Sequence, residues 1–124
     1  MKTALICLAV LLTLPLEVCA QVHHTDLSWT ASADAGVAYN VYKAIGACPS
    51  TGLPSGATKI ASAITKTAYS DTAVSPGQTA CYYVTATLNG SESAPSNTAP
   101  ATTPIAPPGT LTIQTVAELR VVAR

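Results

Sequence analysis

The chain has 124 residues, and six Lys plus Arg balance six Asp plus Glu. That length holds one domain with a modest core, and a zero net charge excludes the basic excess that nucleic acid or an anionic membrane asks of a partner. Hydrophobic residues make up 48% of the chain, with a mean hydropathy of +0.36, which excludes a disordered polymer.

Lys2 opens the chain, and an apolar run from Ala4 to Leu14 follows, broken only by Thr13. Val18-Cys19-Ala20 then offers the short residues that signal peptidase accepts. The run is too short to span a bilayer, which needs roughly 20 apolar residues. Residues 1–20 are therefore expected to be a cleaved secretory signal. The mature chain would begin at Gln21 in an extracellular or periplasmic compartment, with no membrane attachment. Cys19 follows Val18 rather than a small residue, which argues against lipidation.

Cleavage removes Cys7 and Cys19 and leaves Cys48 and Cys81. Two cysteines in an exported protein most simply form one disulfide, the alternative being two free thiols. Closing a loop of about 34 residues would stabilise the fold by roughly 3–4 kcal/mol in the chain-entropy model. Nothing nearby completes a zinc set, which wants four ligands or three plus water. No metal or other cofactor is expected.

From His24 onward the apolar period is two, the mark of half-buried strands. Leu27 and Trp29 share one face of Thr25 to Thr30, and Tyr39 and Val41 share one face of Tyr39 to Lys43. Cys48 to Thr58 carries two Pro and two Gly and reads as a loop. Lys59 to Ala61 is a short strand, and Thr67 to Asp71 another, with Tyr69 inward. Thr79 to Leu88 is the longest β signal. Ala80, Tyr82, Val84, Ala86 and Leu88 form one face of it, and Cys81, Tyr83, Thr85 and Thr87 the other. Asn89-Gly90 predicts a tight hairpin, with Ser96 to Thr103 as the return strand. Pro100 has no amide hydrogen, so that strand belongs at a sheet edge. Six short strands without a helical stretch predict an all-β antiparallel sandwich. Leu27, Trp29, Tyr39, Val41, Tyr69, Tyr82 and Val84 form the expected core.

Several segments occur in a telling order: Leu27-Ser28-Trp29-Thr30, Tyr39-Asn40-Val41-Tyr42, Tyr69-Ser70-Asp71, Pro76-Gly77-Gln78-Thr79, Tyr82-Tyr83-Val84-Thr85-Ala86 and Glu92-Ser93-Ala94-Pro95-Ser96-Asn97. The set resembles strands B, C, E, F and G of a fibronectin type III domain of the bacterial secreted kind, an immunoglobulin-like sandwich, over residues 23–103. The resemblance implies that Trp29 sits between the two sheets, with Tyr39, Val41, Tyr69 and Val84 around it. It also implies that strands C and F are antiparallel neighbours, which brings Cys48 and Cys81 to adjacent strand ends where a bridge is reasonable.

Two departures stand out. The family's corner tyrosine falls at Ala80, so the hydrogen-bonded corner is expected to be missing, with the disulfide compensating at the same end. The first strand, A, is also expected to be absent, because almost nothing separates Gln21 from strand B. Instead, a proline-rich run, Pro104-Ile105-Ala106-Pro107-Pro108-Gly109, follows strand G, and Thr110 to Val116 then reads as a strand. Within this tail, residues 104–124, Pro107 to Ile113 resembles the opening A strand of a following domain. Leu111, Ile113 and Thr115 would be the inward residues of a donor strand. The tail is either a loose remnant, or it fills the A position of its own domain, or it fills that of a second copy. Ala117 to Arg124 reads as a short helix or a loose end.

The search for chemistry finds no catalytic residues. His23 and His24 point to opposite faces of an extended chain and cannot chelate one ion together. Asp26, Asp34, Asp71 and Glu92 are scattered over separate segments without an acid–base spacing, and Asp71 reads as a turn cap. No nucleophile motif or phosphate-cradling glycine pattern occurs. Tyr42 and Tyr83 should face outward on neighbouring strands, either as a cross-strand pair or as a binding face for a sugar or protein. The reading is a secreted, non-enzymatic module for protein or surface binding or spacing. Its rivals are a structural subunit assembling head to tail through its C-terminal strand, and a module binding cell-surface polysaccharide through Tyr42 and Tyr83.

Overall fold

The computed structural model describes residues 21–113. The expected signal (residues 1–20) and the segment from Gln114 onward, with Thr115, lie outside the described residues. Seven strands occur: β1 (Thr25–Ser28), β2 (Ala38–Ile45), β3 (Thr58–Ile64), β4 (Ala68–Asp71), β5 (Thr79–Leu88), β6 (Ser91–Glu92) and β7 (Ala99–Thr102). All pairing is antiparallel, as the period-two pattern requires.

Two sheets form. The larger runs β3-β2-β5, and both β6 and β7 pair with the far side of β5. The smaller holds only β1 and β4, registered Thr25 opposite Asp71 and Leu27 opposite Tyr69. Apolar side chains from the two sheets meet between them. Tyr39, Val41, Ala80, Tyr82 and Val84 are buried, and Leu27, Trp29 and Tyr69 pack against them from the small sheet while staying partly exposed. Every expected core residue is thus in the cluster. The three from the small-sheet side are half-buried because two short strands cannot cover the face of a five-stranded sheet.

The Asn89-Gly90 hairpin forms as expected, with φ of 50° and 81° at its two residues. Those left-handed angles suit Asn and Gly and match the twist of the strands that they join. The expected return strand, Ser96 to Thr103, is shorter in the structure, at Ala99–Thr102. Before it, hydroxyls do part of a strand's work. Ser96 Oγ accepts from the Val84 amide and Ser93 Oγ from the Ala86 amide, each at 2.9 Å. Pro95 interrupts the backbone ladder, and the two serines bridge the interruption. Pro100 lies on the edge strand, opposite Cys81, where its missing amide costs nothing.

The expected short strand at Lys59 to Ala61 extends over Thr58–Ile64. Its register against β2 shifts on either side of Val41, and Ala63 takes a φ of 54°. Such a bulge is invisible to a strict two-residue pattern. The expected strand at Thr110 to Val116 is not formed over its described part, residues 110–113. Leu111 and Ile113 stand 84% and 80% exposed, without the partner strand that their alternation calls for.

Candidate functional site

The Cys48–Cys81 disulfide forms, with Cα atoms 5.0 Å apart. Strand β2 ends at Ile45, opposite Ala80, so the chain leaves β2 just where β5 begins. Cys81 is fully buried. The bridge therefore fastens the long Pro- and Gly-rich loop to the central strand.

At the same end lies a polar tie between the sheets. Lys43 of β2 places Nζ 2.8 Å from Asp71 Oδ2 of β4, with both side chains buried. The Tyr82 hydroxyl of β5 donates to the same oxygen at 2.8 Å. The Ala73 amide donates to Asp71 Oδ1 at 3.0 Å, which makes Asp71 the turn cap expected of it. Lys43 also donates to the Ala73 carbonyl. Burial by itself raises the Asp71 carboxyl. The Lys43 ammonium, the Tyr82 hydroxyl and the Ala73 amide outweigh it and hold the group below its ordinary value. Tyr82 is pushed up to about 12, by burial first and then by its bond to Asp71. Ala80 offers no hydroxyl for the corner, and two residues later a different bond ties β5 to the small sheet. Tyr82 supplies the hydroxyl, and a carboxylate receives it.

On the outer face of the large sheet, Tyr42 and Tyr83 are direct cross-strand partners. Their rings stack with centroids 4.8 Å apart and planes 5° from parallel. Glu92 anchors the group, accepting from the Tyr42 and Thr85 hydroxyls and from Asn40 Nδ2 at 3.2 Å. These hydrogen bonds, Thr85's foremost, together with nearby Lys59, lower its carboxyl to about 2. Lys59 Nζ lies 5.7 Å from the Tyr42 ring centroid. The pair spends one aromatic face of each ring on the other, and Oε1 of the carboxylate takes all three donors. That is the arrangement of a cross-strand pair that steadies the sheet.

The opposite flank is open. Among the described residues, β1 pairs only with β4 and β7 only with β5. A groove of about 580 Å³ runs between them, walled by residues 25–30 on one side and by residues 96–101 on the other, with Tyr82 and Val84 among the residues at its base. The fold thus leaves core side chains accessible along one side. Trp29 lines this groove, half-buried, its ring edge-on to Tyr39 at 5.4 Å. Its Nε1 is the one buried side-chain nitrogen or oxygen among the described residues without a hydrogen-bond partner. The sequence leads us to expect an empty A position and Trp29 between the two sheets, where it does pack against the core while staying partly exposed. Among the described residues no strand pairs with the open edge of β1, and the half-exposed indole lies along that edge.

No other chemical cluster competes with this flank. His24 Nε2 lies 3.3 Å from Asp26 on the exposed side of β1. Among the described residues no group of three or more His, Cys, Asp or Glu is placed to hold a metal ion.

No family model matches the chain, and no curated protein matches it. A solved structure does. The chain is similar to the crystal structure of an Fn3-like protein from Clostridium thermocellum, with 35% identity over 64% of this chain and 75% of that one, at a TM-score of 0.52.

Proposed function

The chain belongs to the fibronectin type III-like proteins, and from that premise we propose that it is a secreted, non-enzymatic protein-binding module whose working surface is the flank between β1 and β7. Its ligand is an extended polypeptide segment. The observation that carries this reading is the combination along one line: a strand edge unpaired among the described residues, beside a groove of mixed lining that reaches the apolar side chains of Leu27, Trp29 and Val84. A strand added there gains main-chain hydrogen bonds from β1, and every second side chain enters the groove. Left empty, the same edge is a liability that folded proteins usually cover. Secretion follows from the leader-like residues 1–20 and agrees with a bridge that persists in oxidising compartments.

Trp29 is the single tryptophan, so its emission reports on the groove directly. Residues 21–124, at low micromolar concentration, are titrated with synthetic peptides alternating Val and Thr, and with Ser- and Gly-rich controls. The expected result is a saturable blue shift with the alternating peptides alone. Ala99→Arg, which fills the groove from an exposed position, should abolish the shift and leave the thermal melt unchanged. An emission maximum that no peptide moves would overturn the reading.

A further inference from the structure

We propose that the segment filling this flank is residues 110–116 of a second copy of the same chain, so that copies join head to tail. The inference rests on the strand-accepting reading above and names its occupant.

Length agrees first. The groove follows residues 25–30, that is β1 and the two residues after it, a run of roughly 20 Å at strand rise. Residues 110–116, Thr-Leu-Thr-Ile-Gln-Thr-Val, cover about 23 Å when extended. Their pattern agrees next. Leu111 and Ile113 fall on one face, with Thr110, Thr112 and Gln114 on the other. That is what a half-covered strand needs, with its apolar face toward Leu27 and Trp29 and its polar face in water. Both apolar side chains are more than three-quarters exposed in the single chain.

The exit geometry selects a second copy over the same one. The Thr103 amide donates to the Gln78 carbonyl, and the Gly77 amide donates to the Thr103 carbonyl. The chain is thus held at the start of β5 as it leaves β7. Asp71, bonded to Tyr82 of β5, lies opposite Thr25, so β1 begins at this same pole. An antiparallel partner of β1 must therefore enter from the far pole. Residues 104–109 span at most about 20 Å, all of it consumed by a return along the flank. Three of the six are proline, which favours a stiff, extended course away from the pole. Such a course carries residues 110–116 to the far pole of a neighbour, where they enter antiparallel to its β1. The contact uses two different surfaces, so it is heterologous and repeats without closing. A strand carbonyl passing along β1 would also offer an acceptor to the orphan Trp29 Nε1.

Sedimentation velocity on residues 21–124 over a hundredfold range of concentration tests this. Species beyond the dimer should grow with concentration. Leu111→Asp with Ile113→Asp, at two exposed sites, should return the chain to a single-copy mass without altering its melt. A synthetic peptide of residues 108–118 should bind that variant one to one and shift Trp29 emission. Monomers at every concentration, with β1 amides protected in the parent chain and exposed in the double variant, would mean closure within one chain. That overturns the inference and leaves the strand-accepting flank intact. Failure of the tail peptide where Val/Thr peptides bind also overturns the inference alone. Failure of all peptides removes the reading beneath it.

Discussion

Asp71 joins the two sheets because three donors converge on it in a buried place. Removing one member of such a group strands the others, at about 3–5 kcal/mol. Asp71→Ala should therefore lower stability by that order in denaturant unfolding, leaving the buried Lys43 ammonium without its counter-charge and the Tyr82 hydroxyl and Ala73 amide without their acceptor. The folded carboxyl lies below its free value of 3.8. Its contribution is thus complete above that pH and is lost as pH falls through the folded value. Glu92 behaves alike on the surface, lowered from 4.5 to about 2. Melting temperature should fall as pH drops from 5 to 2, and Glu92→Gln should flatten the part of that fall between pH 4.5 and 2. An unchanged slope in the variant would remove the cluster around Tyr42 from the stability of the sheet. The turn-capping role of Asp71 is legible in the sequence because it is local. Its bond to Lys43 is not, because no periodicity links residues on opposite sheets.

Strands with a clean alternation and a turn signal are legible to the residue. Thr79 to Leu88 and the Asn89-Gly90 hairpin need nothing from the rest of the fold to declare themselves. Those that depend on irregular pairing are not. The return strand is shortened because Ser93 and Ser96 offer hydroxyls in place of backbone partners, and β3 is lengthened through a bulge. Ser96→Ala should leave the Val84 amide without an acceptor and cost about 1–3 kcal/mol, measured by chemical denaturation. Its signature in amide exchange should be local to Val84. A loss spread evenly over the sheet would assign the serine some other role.

At the scale of the molecule, a one-sided small sheet, a bridge and a polar tie divide the labour. The disulfide and the Lys43–Asp71–Tyr82 group close the pole where the chain exits, while among the described residues no strand covers the flank between β1 and β7. Replacing Cys48 and Cys81 together by Ala should cost roughly 3–4 kcal/mol, seen as a lowered denaturation midpoint with the strand content retained. The openness was partly legible: Leu111 and Ile113 alternate along the tail without a partner among the described residues. What the empty place does to Trp29 was not legible, because burial belongs to the assembled sheets.

Amide exchange across β1, followed in the Leu111→Asp, Ile113→Asp chain with and without the peptide of residues 108–118, interrogates that flank without intermediaries. Amides of β1 on the side away from β4 should exchange far faster than those of β2 and β5, and should slow when peptide is added. Slow exchange along both sides of β1 before any peptide is present would contradict an open edge.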